Sequence, residues 1–125
     1  MSEHPNATLM RTALEMVNQG QIDAMADYLA DDVVWHYIGG AEPVRGKEAM
    51  LGAFGSAVRD YEIVPEIHDV VANDEHVVAL VKATATRGGK TFVYNTAEIA
   101  HVRDGKISER WAFSDDTAAI NAFFA

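Results

Sequence analysis

With 125 residues, 13.6 kDa and no cysteine, the chain suits one domain that buries roughly two-thirds of its unfolded surface, and it excludes a disulfide scaffold, a thiolate nucleophile, an iron–sulfur cluster and thiolate-bound zinc. Hydrophobic residues make up 49% and charged residues 23%, a balance that argues against wholesale disorder. The 19 acids outnumber the 10 bases for a net charge of −9, so a phosphate backbone meets repulsion and nucleic acid is excluded as an expected partner.

Taken in chain order, Leu9, Ala13, Met16 and Val17 recur at helical spacing, as do Ile22, Met25, Ala26 and Leu29 after Gly20, which predicts two short helices joined at that glycine. Asp31-Asp32 is read as the turn that ends them. Val33 to Ile38 is β-branched and aromatic before Gly39-Gly40, the pattern of a first strand. A loop through Pro43 then leads to a third helix over about Gly46 to Val58, with Met50, Phe54 and Val58 on one stripe.

After Tyr61 the period changes to two. Strands are expected at about 61–72, 75–87, 90–103 and 106–114, broken at Asn73-Asp74, Gly88-Gly89 and Asp104-Gly105, turn pairs that signal antiparallel hairpins. A last short helix spans Asp116 to Phe124, with Asp115 or Asp116 as its N-cap. Helices first and a long meander afterwards make an α+β fold, helices packed on one face of a curved antiparallel sheet, in a single domain over residues 1–125.

The faces of these strands carry chemistry. Val77, Ala79, Val81, Ala83 and Ala85 share one apolar, small-residue face. Closing Gly88-Gly89 as a two-residue turn sets Ala85 opposite Phe92, Ala83 opposite Tyr94, Val81 opposite Thr96 and Ala79 opposite Glu98. Glu98 thereby lies on an apolar face, and small side chains around an acid lean toward a cavity.

Asn18 to Ala24, Leu29 to Trp35, Val44 to Met50, and Arg103-Asp104-Gly105-Lys106-Ile107 followed by Trp111 together resemble the ketosteroid-isomerase and polyketide-cyclase branch, often called SnoaL-like, of the nuclear-transport-factor-2-like superfamily. The resemblance covers nearly the whole chain. It implies a cone in which a bent sheet wraps three N-terminal helices around a deep apolar pocket for a small apolar ligand, usually in a homodimer and without a cofactor. The steroid isomerases of this fold use a tyrosine on the first helix, an aspartate on the first strand and a protonated acid on the fourth. The matching positions here hold Ala13, Tyr37 and Glu98, so only one carboxyl group carries over. Epoxide hydrolases of the fold use an Asp–Arg–Asp constellation, whereas Leu80 to Ala85 contains no acid.

Glu98 is the leading chemical candidate, an acid–base group among Ala and Val. It equally suits a structural ion pair with Arg110. A three-residue loop at Arg103-Asp104-Gly105 with Gly105 as a bulge pairs those two residues across the ladder; a two-residue turn at Asp104-Gly105 instead sets Trp111 opposite Glu98 and turns Arg110 away. We take the bulged form, partly from the resemblance. Arg110 then clamps an anionic or carbonyl oxygen or only neutralises Glu98. Tyr37, two residues beyond Trp35 and aimed by the resemblance into the pocket, donates to a developing oxyanion or serves as a core aromatic.

Trp35, Phe54 and Tyr94 form an aromatic wall for a flat ligand or line the core. Asp115 is a rim acid or a cap. His36 faces away from the pocket, and the scattered His4, His68, His76 and His101 suggest no metal site. The opposite sheet face presents Val78, Leu80, Val93, Ile99, Trp111 and Phe113, too much apolar area to leave in water, so a homodimer is expected there. No apolar run is long enough to cross a bilayer, and Met1-Ser2-Glu3-His4-Pro5 lacks the start of a secretory signal. A cytoplasmic acid–base enzyme of isomerase, cyclase or dehydratase type, acting on an apolar carbonyl compound, is one expectation; a non-catalytic binding or dimerisation module is the other.

Overall fold

A computed structural model describes residues 3–18, 21–38, 42–60 and 62–124, the side chains of residues 17, 18, 22, 54–60 and 124 excepted. The side chains of Val17, Ile22, Phe54, Val58 and Phe124 therefore lie outside the described residues. The elements are α1 (Pro5–Asn18), α2 (Ile22–Met25) with a 3-10 turn at Ala26–Tyr28, β1 (Leu29–Trp35), β2 (Val44–Arg45), α3 (Lys47–Asp60), β3 (Glu62–Ala72), β4 (His76–Arg87), β5 (Lys90–Arg103), β6 (Lys106–Ser114) and α4 (Thr117–Phe124). Six strands form one curled sheet in the order β2-β1-β6-β5-β4-β3. The fold is α+β, as expected. Its ladders are antiparallel except for β1 and β6, which run parallel.

The first strand starts earlier than the apolar run suggested. Leu29 and Ala30 are buried, Asp31 and Asp32 exposed, and Val33 and Trp35 buried again. The two acids are thus not a turn between helix and strand but a bulge within β1, where the register against β6 shifts. Each acid meets a cation, Asp31 with Lys47 at 3.3 Å and Asp32 with Arg103 at 2.6 Å. The Arg103 guanidinium holds the exposed Asp32 carboxyl below its ordinary range. The segment through Pro43, expected to be loop throughout, contains β2, which adds Val44 and Arg45 to the edge of β1.

Two apolar clusters cover the inner sheet face. In the larger, Ala7, Met10 and Ala13 of α1, Met25 of α2 and Met50 of α3 pack on Val77, Ala79 and Val81 of β4 and Ala100 and Val102 of β5. Asn6, itself buried, sets the lie of α1 by donating its amide to the carbonyls of Asn73 and Asp74 in the β3–β4 turn, at 2.9 and 3.1 Å. The smaller cluster joins Ala83, Ala85 and Tyr94 to Ile120 of α4. Of the two candidate caps for α4, Asp116 is the one used, its Oδ1 accepting from the amide of Ala119 at 3.0 Å.

Gly88-Gly89 closes β4 and β5 with positive φ at both residues, a turn whose twist matches the strands it joins. The expected pairs follow, Ala85 with Phe92, Ala83 with Tyr94, Val81 with Thr96 and Ala79 with Glu98. At the next hairpin the two-residue turn forms rather than the bulged loop we took, but neither expected pairing of Glu98 occurs. The turn has two residues, with Arg103 opposite Lys106 and Asp104 and Gly105 both at positive φ. Ser108 is then an extra residue on β6, between the pairs Val102–Ile107 and His101–Glu109. Its hydroxyl donates to the carbonyl of His101 at 3.3 Å, occupying an acceptor at the interrupted ladder. Glu98 consequently lies opposite Ala112, and Arg110 opposite Ala100. The bulge thus falls in the strand rather than in the loop, and Arg110 nevertheless shares the inner face with Glu98.

Two glycines should respond in opposite senses. Gly105, at φ 75° with open space where a Cβ would stand, should lose about 1 kcal/mol of stability on Gly105→Ala because alanine resists that conformation. Gly52, within α3 and equally uncrowded, should gain roughly 0.5–1 kcal/mol on Gly52→Ala. Urea denaturation of both variants checks the pair.

Candidate functional site

Thr96 and Glu98 are buried, at 7% and 9% exposure, yet belong to neither apolar cluster. Alternation along β5 places them after Tyr94 on the inner face. They form a polar seam between the two clusters, and Arg110 enters it from β6. Glu98 Oε1 accepts two bonds from Arg110, from Nη2 at 2.6 Å and Nε at 3.1 Å, while Oε2 accepts the Thr96 hydroxyl at 3.3 Å. The side chains of Arg110 and Glu98 keep only 11% and 12% of their exposure, so solvent screens the pair weakly.

Three further contacts fix the guanidinium. Its plane-centre carbon lies 4.5 Å from the ring centroid of Trp35, a cation–π distance. Nη1 donates to the main-chain carbonyl of His36 at 3.1 Å, and the His36 amide donates to the Arg110 carbonyl at 2.9 Å. A planar cation is thereby held on its edge by a carboxylate, on another edge by a carbonyl and on its face by an indole, a geometry that Lys lacks the donors to reproduce.

The structure brings together Glu98, Arg110 and Trp35 of the expected residues. Tyr37 lies beyond the end of β1 and is 37% exposed, so its phenol is carried at a rim rather than buried as Trp35 is. Tyr94 is buried in the smaller cluster, where Phe92 stacks on it at 5.4 Å and in turn on Phe123 at 5.2 Å. The Phe54 side chain lies outside the described residues. Asp115 is not the cap of α4; it accepts from the side-chain and main-chain amides of Asn95, bonds that hold its carboxyl below the usual range.

Thr96 was legible in the sequence as the residue two before Glu98 but carried no chemical signal of its own. The His36 carbonyl carried none at all. His36 itself faces the outer side, where its ring stacks on Trp111 at 5.0 Å and Nε2 meets Glu109 Oε2 at 2.8 Å. A groove of about 300 Å³ between α1 and β3 is lined by Arg11, Leu14, Glu15, Pro65 and Ile67; none of these residues belongs to the seam. Among the described residues no helix is long and apolar enough to cross a membrane, and no group of three or more His, Asp or Glu side chains is placed to hold a metal ion.

Removing one member of the buried pair should be costly. Arg110→Met leaves the Glu98 carboxyl without its counter-charge and should destabilise the fold by about 3 kcal/mol, whereas the double variant with Glu98→Leu should recover most of that loss. Thermal and urea unfolding of the two single variants and the double variant measure the coupling.

Comparison with known proteins places this geometry. An uncharacterized protein of Mycobacterium tuberculosis is 25% identical over 138 aligned positions that span all of both chains. An LEH-like epoxide hydrolase of M. tuberculosis superposes with a TM-score of 0.81 at 17% identity, over 89% of this chain and 83% of that one. A Xanthomonas campestris protein described as a polyketide cyclase gives 0.76 at 24% identity, over 87% and 89%. At such identities the structural likenesses establish the fold, which is the cone of helices and curled sheet that the resemblance implied. Residues 10–110 match the model of the SnoaL-like domain, and the chain belongs to that family.

Proposed function

We propose that the chain is an acid–base enzyme acting on a mostly apolar carbonyl compound, by isomerisation, cyclisation or dehydration. The observation that carries this reading is a carboxylate and a guanidinium facing inward at the boundary of two apolar clusters, where an uncharged seam would hold the fold at lower desolvation cost. Glu98 Oε1 is occupied by Arg110, so Oε2, bonded to the Thr96 hydroxyl, is the oxygen that takes a proton from the carbon next to the carbonyl. The electron pair left behind moves onto the carbonyl oxygen, which Arg110 and the rim phenol of Tyr37 stabilise. Returning that proton to another carbon isomerises the substrate; expelling a hydroxide from the next carbon dehydrates it. Trp35 and Tyr94 provide the apolar walls, and no cofactor enters the scheme.

Exchange of substrate hydrogen for solvent deuterium tests it. In D2O, wild-type protein should label a panel of cyclic ketones and enones faster than buffer does, and Glu98→Gln should lose that excess by at least about 10²-fold while retaining affinity. Circular dichroism at the assay temperature checks that the variant is folded.

A second reading is a non-catalytic ligand-binding module. It is favoured by the mutual satisfaction of Glu98 and Arg110, since no buried polar side-chain atom among the described residues lacks a hydrogen-bond partner. Wild-type protein that binds the panel without labelling any member would decide for it.

We propose further that two copies pair through the outer sheet face. Apart from Tyr37, the exposed large apolar side chains among the described residues are Val64, Val71, Leu80, Val93 and Phe113. Strand pairing puts all five on that face, together with Trp111. A net charge of −9 opposes association elsewhere, so an apolar face is where a second copy is accommodated. Sedimentation should give twice 13.6 kDa at micromolar concentration, and Trp111→Glu, which adds a charge beside Glu109, should return the protein to monomer.

A further inference from the structure

The end of β1 joins the two sheet faces. Trp35 points inward under Arg110, and His36, one residue past the strand, points outward to Glu109 and Trp111. On β6 the order is mirrored, with Glu109 and Trp111 outward and Arg110 between them inward. Two main-chain contacts cross between these segments. The His36 amide donates to the Arg110 carbonyl, and the His36 carbonyl accepts from Arg110 Nη1, at 2.9 and 3.1 Å.

We propose that His36 is a positioning residue for Arg110: its ring, pinned outside by Glu109 and Trp111, fixes the main-chain carbonyl that holds the inward guanidinium. Past the end of a strand no regular ladder holds the chain on both sides of each residue. At residue 36 the amide bond fixes one point of the main chain and the ring contacts fix Cβ, so the Cα frame cannot swing and the carbonyl stays aimed at Nη1. Without the ring, the frame pivots about the one amide bond. The outer contacts suit the task. A 2.8 Å bond between imidazole and carboxylate is directional, and a ring stacked on an indole at an interplanar angle of 6° resists tilting. The consequence is a route from the outer face to the inner one that passes through a single residue and the carbonyl it carries.

This inference rests on the proposed function only in taking Arg110 as the group worth positioning, and it is read without a substrate. The Arg110 Nε–H gives an NMR signal, assigned by its loss in Arg110→Lys, whose exchange with water reports how firmly the guanidinium is held. His36→Ala should speed that exchange roughly tenfold, the worth of about one hydrogen bond, while the amide signals of β4 stay in place. His36→Gln, whose side-chain amide can still donate to Glu109, should restore exchange to within about threefold of wild type. Glu109→Ala, which leaves residue 36 intact, should reproduce the His36→Ala effect. Unchanged exchange in His36→Ala or Glu109→Ala, or no rescue by Gln, overturns the proposal. Failure of the acid–base reading appears separately, as absence of deuterium labelling in a protein whose Arg110 signal still responds to these variants.

Discussion

Ser108 has no counterpart across the β5–β6 ladder, and because strand side chains alternate, everything after it in β6 faces the way it does on that account. Ile107 faces inward beneath Val102, and strict alternation from there would send Glu109 and Trp111 inward and Arg110 out to water. One additional residue reverses this. Arg110 turns into the seam beside Glu98 and Trp111 turns out against His36, so the charge pair, the cation–π contact and the outer aromatic stack all follow from the same local irregularity.

How much of this was legible depends on what the turns say. Gly88-Gly89 admits a two-residue turn with positive φ, and the register of β4 on β5, including the inward placement of Glu98, followed from it. Asp104-Gly105 speaks as clearly of its own turn, but the bulge lies three residues later, at a serine whose role is to donate to a carbonyl that strand pairing alone would not leave over. No residue type marks such a site. Likewise Asp31-Asp32 reads as a turn because acids favour turns, whereas here two exposed acids sit in a strand bulge with Lys47 and Arg103 to meet them. The inward set of the sheet was visible in the alternation; the His36 carbonyl, a main-chain group, had no sequence signature to offer.

A charge pair buried between two apolar clusters is a poor means of holding a fold together, since the desolvation of both ions offsets much of their attraction. Its geometry nonetheless goes beyond neutralisation. Trp35 backs the guanidinium, a carbonyl takes another of its edges, and Thr96 orients the second carboxylate oxygen. The relatives of this fold vary their chemistry by changing side chains on a constant cone. In this chain an arginine on the neighbouring strand shares the Glu98 carboxylate.

The parallel pairing of β1 with β6 also sets an order of assembly. Trp35 and Arg110 are direct neighbours in that ladder although nearly the whole meander lies between them in the chain, and contacts so distant in sequence are slow to close. On a ribosome the hairpins of β3, β4 and β5 can form as they emerge, but β1, made early, has only the two-residue β2 on one side and an open edge on the other until β6 follows. The edge of β1 that takes β6 waits open through most of synthesis, and the strand's two exposed acids, Asp31 and Asp32, put like charge on the segment that would otherwise be the first to find a wrong partner.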